Sequence, residues 1–137
     1  MKDRIFSVRG GGDLFLVLLG LIFIHAGIGK VLAGQVPEWF SAQFEPTLIG
    51  SLPGGVFLSY WGVAIIEVVV GCLAFASLVR RQLIQSTFVL AEATFLALGF
   101  GLRLSQKYAE AGQLFNYFAL TLILHILLSR TTEARGV

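Results

Sequence analysis

VFLSYWGVAIIEVVVGCLAFASLVRRQLIQSTFVLAEATFLALGFGL, residues Val56–Leu102, decides the fold. It holds two apolar runs, about 56–78 and 83–102, with Arg80 and Arg81 between them. About 20 apolar residues carry an α-helix across a bilayer. In hydrocarbon, only a helix or a closed barrel satisfies its own backbone. Both runs therefore read as membrane spans. The turn between them is too short for anything but an antiparallel hairpin. Arg80 and Arg81 stop one span at the headgroups, and Arg103 closes the next.

Upstream, LFLVLLGLIFIHAGIGKVLA (Leu14–Ala33) is a further span, with Asp13 placed as its N-cap and Gly34 as its end. Downstream, LFNYFALTLILHILLS (Leu114–Ser129) is short, so a fourth span is expected over about 110–129, with Tyr108 and Tyr117 near the interface. The expected fold is all-α: one transmembrane domain over 1–137, an integral membrane antiparallel four-helix bundle. Loop 35–54, QVPEWFSAQFEPTLIGSLPG, carries Pro37 where a short helix would start and Pro46 and Pro53 where it would break. Trp39, Phe40 and Phe44 recur at helical spacing. They predict a short interfacial helix whose aromatics rest in the headgroup belt or on a partner. Residues 1–13 are polar and basic, with Gly10–Gly12 as a flexible hinge. The apolar run after them is too long for a cleaved signal, so the first span is read as retained.

Composition agrees. Of 137 residues, 56% are hydrophobic and 13% charged, with mean hydropathy +0.84. Soluble domains carry about 25% charged residues, so a cytosolic globular domain is excluded, as is a charge-rich disordered chain. The net charge of +2 reflects Lys and Arg flanking the spans, not a nucleic-acid face, which would need clustered basic residues. Cys72 is the one cysteine. It allows no intramolecular disulfide and no Cys-based metal site, and is expected to be a small core residue. Lys2, Arg4, Arg9, Arg80, Arg81, Arg130 and Arg135 fall on one side of the bundle, seven against the three of Lys30, Arg103 and Lys107. The richer side is expected to be cytoplasmic, with both termini inside and loop 35–54 outside.

Five titratable side chains lie within the spans: His25, Lys30, Glu67, Glu92 and His125. An ionised group in hydrocarbon costs at least about 2.5–3.5 kcal/mol, so such groups face the bundle interior and pair. His25, Glu67 and Glu92 sit near mid-span. His125 lies within about two turns of the cytoplasmic end, and Lys30 near the outer end of its span. Tyr60, Ala64, Glu67, Gly71 and Ala74 form one stripe, Gln85, Glu92 and Gly99 a second, and Tyr117, Thr121 and His125 a third. Small residues beside polar ones are how membrane helices pack and hydrogen-bond. A buried carboxyl stays protonated unless a cation is near, and His25 or Lys30 is placed to supply one. Four roles fit: interhelical hydrogen bonds holding the bundle, a proton- or quinone-handling site, a metal site of two Glu and one His, and bis-His haem. The spacing has no metal specificity, so no metal is assigned. The two histidines differ in depth by about 10 Å at helical rise, which argues against haem.

LGLIFIHAGIGKVLAG (Leu19–Gly34), VPEWFSAQFEPTLIGSLPGG (Val36–Gly55) and IEVVVGCLAFASLVRRQL (Ile66–Leu83), in this order and spacing, resemble the DoxX-like family, which includes DoxX, DoxD and MauE-type proteins. The resemblance covers the first two-thirds of the chain. The fourth span departs from it, and His125 is not carried over. Lys30 and Glu67 occupy the family-like polar positions. The resemblance implies a four-helix protein of a bacterial-type inner membrane. Some relatives are subunits of membrane oxidoreductases, including a thiosulfate:quinone oxidoreductase, and MauE proteins assist maturation of methylamine dehydrogenase.

The expected function is an accessory or structural subunit of a larger membrane electron-transfer complex, respiratory or photosynthetic, without activity of its own. The alternative is a small quinone-interacting oxidoreductase subunit. A transporter or assembly factor ranks lower, since no inverted repeat is visible. No intrinsic cofactor is expected; a quinone or a lipid at a shared interface is the candidate ligand. The expected partners are the bilayer and other redox subunits, with no nucleic acid. The intramembrane polar cluster is assigned to His25, Lys30, Glu67 and Glu92.

Overall fold

The computed structural model describes residues 8–133. Lys2, Arg4 and Arg135, used in the charge asymmetry, lie outside them. Four long helices form the bundle: α1 (Val8–Ala33), α3 (Gly55–Val79), α4 (Ile84–Leu104) and α5 (Tyr108–Glu133). A short helix, α2 (Glu38–Phe44), lies in the loop after α1, and a single 3-10 turn, Arg81–Leu83, joins α3 to α4. All four long helices are long and apolar enough to cross a bilayer. The protein is a multi-pass membrane protein whose outer surface contacts lipid.

The bundle is built from two closely packed antiparallel pairs, α1 with α3 and α4 with α5. Glycines set the first pair. A Cβ on Gly27 would lie 2.9 Å from the Val68 backbone nitrogen and 3.0 Å from the Ala64 carbonyl oxygen. One on Gly71 would lie 2.9 Å from the Ile24 nitrogen. The two backbones therefore touch, as small residues permit in membranes. Between the pairs, Leu16, Leu19 and Phe23 of α1 meet Val70 and Ala74 of α3 and Phe88, Ala91 and Phe95 of α4. Ser77 and Thr87 share a buried 2.7 Å hydrogen bond that ties α3 to α4 across the core. The hairpin of α3 and α4 is the looser neighbour relation, although its connection is the shortest.

Three local expectations are corrected. Gly10–Gly12 are not a hinge but part of α1, and Asp13 is not its N-cap. Gly12 is buried where a Cβ would stand 3.0 Å from the Leu128 side chain, so close packing on α5 offsets the helix cost of glycine. The Asp13 carboxylate instead accepts two hydrogen bonds from the Arg81 guanidinium, joining α1 to the 3-10 turn. Cys72 is exposed, not a core residue. Its neighbours Gly71 and Ala74 take the inward face of α3, which turns position 72 toward lipid.

Candidate functional site

All five residues of the α3 stripe, Tyr60, Ala64, Glu67, Gly71 and Ala74, are buried. The contact at Gly27 brings Lys30, one turn further along α1, against this stripe. The Lys30 ammonium donates to both Glu67 carboxylate oxygens, Nζ to Oε2 at 2.7 Å and to Oε1 at 3.0 Å. The Glu67 side chain is 4% exposed and that of Lys30 24%. An ammonium has three donors. Glu67 takes two, which leaves one directed by the less buried partner. Tyr60 closes the pair from below the loop, its hydroxyl 3.5 Å from the Lys30 carbonyl oxygen.

Helix α2 folds back over this end. Its start after Pro37 and its stop before Pro46 follow from proline's fixed φ and missing N–H. Phe40 meets Tyr60 edge-on at 5.0 Å between centroids, meets Trp39 edge-on at 5.6 Å, and lies tilted against Phe44 at 4.5 Å. The three aromatics therefore do not share one role. Trp39 is exposed, Phe40 is half-buried, and Phe44 is buried against the bundle. Phe44 is a correction to the expectation of an interface or partner contact: seven residues make two turns, and one side of them must face the bundle. Beneath α2 lies a cavity of about 400 Å³. Lys30 lines it with Phe40, Phe44, Ala97, Gly101 and Leu114, and exposed Lys107 and Glu110 contribute at its edge. Its wall is mainly apolar and has a cation on one side.

The other expected members of the cluster lie elsewhere. Glu92 is not at the Lys30–Glu67 pair; it bonds His125, Oε1 to Nδ1, at 2.9 Å. His25 is exposed and belongs to neither pair. The expectation that placed it with Glu67 rested on depth along the axis, and depth says nothing of face. The inward positions of α1 are Leu16, Leu19, Phe23 and Gly27, and position 25 falls between two of them. His125 is the residue missed. Glu92 is the ninth residue of α4, and His125 is ninth from the end of α5, so antiparallel packing brings them to one height. The stripe Tyr117, Thr121 and His125 was the available signal. Thr121 is buried, and Tyr117 stacks on Phe95 at 5.6 Å. Among the described residues, no three His, Cys, Asp or Glu side chains converge in a way that would hold a metal ion. The geometry is of pairs: two acid–base couples in separate halves of the bundle.

No family model, curated protein or solved structure matches the chain.

Proposed function

We propose that the protein is a quinone-interacting subunit of a membrane electron-transfer assembly, of DoxX-like type and resident in a bacterial-type inner membrane. The observation that carries this reading is the cavity beneath α2, where Lys30 joins an apolar and aromatic wall. A quinone head is a flat ring with carbonyl acceptors. The third Lys30 donor suits such a carbonyl, and the rings of Phe40 and Phe44 suit its faces. Glu67 fixes the ammonium in place and keeps its charge compensated. Intramembrane ionisable residues are functional candidates by default, because they are expensive to insert. The electron-transfer setting rests on the sequence resemblance at Leu19–Gly34, Val36–Gly55 and Ile66–Leu83. The cytoplasmic placement of the termini rests on the seven-to-three distribution of basic residues.

An accessory role in such an assembly is supported by the outward surface of α5. Leu120, Ile123, Ile126 and Leu127 are all exposed and offer an apolar face to lipid or to a neighbouring subunit.

The test is quinone content per chain after purification in mild detergent. The expected result is near-stoichiometric quinone together with co-purifying redox subunits, and loss of the quinone from Gly101→Leu. A Cβ at Gly101 meets only Ile49 at 3.5 Å and Phe44 at 4.0 Å, so a larger side chain there fills the cavity without striking backbone. Wild-type protein free of quinone, or unchanged content in the filled variant, overturns the reading.

A further inference from the structure

The second acid–base couple lies in the other half of the bundle and is used by nothing above. The Glu92 and His125 side chains are 13% and 14% exposed, and the imidazole lies parallel to the Phe88 ring, 5.4 Å between centroids and 16° between planes. Phe88 holds the ring, and the 2.9 Å contact commits Nδ1 to the carboxylate. The same ring forms part of the wall of a separate cavity of about 490 Å³, at the end of the bundle where α1 begins and α5 finishes. Asp13, Arg81, Gln82, Gln85, Ser129 and Thr131 also line it. Gly12, Leu16, Ile84 and Leu128 complete the wall, and its polar members offer water the partners it needs. Glu92 is not on that wall; it stands behind the imidazole.

We propose that Glu92 and His125 form a proton-binding site that exchanges with water through this cavity. The step is a relay through one ring. With Nδ1–H donating to Glu92 Oε1, a proton from cavity water arrives at Nε2, and the Nδ1 proton passes to Oε1. The imidazole returns neutral as its other tautomer, and the carboxylate becomes a carboxylic acid. One proton is bound, and no other reactant is required. The charged groups facing the ring are Glu92 from α4, Asp13 from α1 and Arg81 from the 3-10 turn, the last two bonded to each other. From α3, the nearest acid–base group is Glu67, held by Lys30 in the opposite half. The proposal does not depend on what the cavity beneath α2 holds.

The test uses a His25→Gln chain labelled with ¹⁵N-histidine in lipid nanodiscs, so that His125 is the one imidazole observed. On lowering pH, the expected result is a switch of the ring from the Nδ1–H to the Nε2–H tautomer, in step with the appearance of a carboxylic-acid band in the infrared. Glu92→Gln loses both the band and the coupled switch. Ser129→Trp, which narrows the cavity, slows exchange of the ring proton with deuterated water. A ring that does not exchange in the unblocked chain overturns the proposal without recourse to any further variant. So does a tautomer signature unchanged by Glu92→Gln, or exchange of equal rate in the Ser129→Trp chain.

Discussion

Lys30 and Glu67 depend on each other more than either depends on its surroundings. Glu67→Leu leaves an ammonium 24% exposed with no counter-ion, and removing one partner of a buried pair costs about 3–5 kcal/mol. The expected outcome is a sharp loss of folded protein in the membrane, read by immunoblot and by thermal aggregation in detergent. Glu67→Gln retains an acceptor for Nζ and should cost on the order of 1–3 kcal/mol. The double variant Lys30→Met/Glu67→Leu removes both charges and keeps volume, a change that is often neutral or stabilising. It should recover protein level while losing any ligand held by Lys30. Recovery of level and ligand together would show that the ammonium has no part in binding. A double variant no better than Glu67→Leu alone would show that the stripe, and not the pair, sets stability.

At the scale of elements, the stripe of small residues between α1 and α3 fixes where the charged pair can form. Gly27→Val places branched carbons against the Val68 nitrogen and Ala64 carbonyl, which are backbone and cannot rotate away. Overpacking of this kind costs about 1–3 kcal/mol, and here it also spreads the helices that hold Lys30 to Glu67. Gly29→Val is the control, since a Cβ there meets nothing within 4 Å. The first variant should lose thermal stability in detergent and the second should keep it. In α2, Phe44→Ala removes a buried ring and should cost about 3–5 kcal/mol. Trp39→Ala removes an exposed ring whose contact within the chain is the edge-on one with Phe40, so it should cost the fold less than Phe44→Ala while weakening contacts made outside the chain. Both are checked by melting temperature alongside co-purification.

The same elements show how much was legible beforehand. The four helices were readable because a bilayer demands long apolar runs, and a run of that length has few alternative meanings. The buried stripe on α3 was readable from spacing, because one helical face must carry what cannot meet lipid. Lys30 was readable only as one of two candidate cations for Glu67; the choice between it and His25 needed the close approach of α1 to α3. The pairing of Glu92 with His125 was not, since it depends on the register of α4 against α5, and no local pattern reports register. His25 was misplaced because depth was estimated along the axis and azimuth was not. The helical course of Gly10–Gly12 was hidden for a related reason: propensity is local, while the contact with Leu128 that reverses it is not.

At the scale of the whole molecule, the bundle has two unlike ends. One carries α2, the aromatic cover and the Lys30–Glu67 pair; the other carries the start of α1, the end of α5, the Arg81 turn and the cavity reached by His125. Which end faces the cytoplasm follows from Lys and Arg alone, because basic residues resist translocation and acidic ones contribute little. By their order in the sequence, seven of the ten are assigned to the side of the Arg81 turn, so that side should stay inside. Testing this requires removing Cys72 first, because it is exposed on α3 and would label from a detergent-permeable membrane. In a Cys72→Ala chain, single cysteines at Gln35 and Ser51 report the α2 end, and those at Gln82 and Arg130 the other; all four positions are exposed. An impermeant maleimide applied to intact cells should modify the first two and reach the second two only after the membrane is opened. The reverse pattern would turn the molecule over. It would place the cavity beneath α2 on the cytoplasmic side and open the Glu92–His125 couple to the outside, so that any proton it binds would come from the opposite compartment.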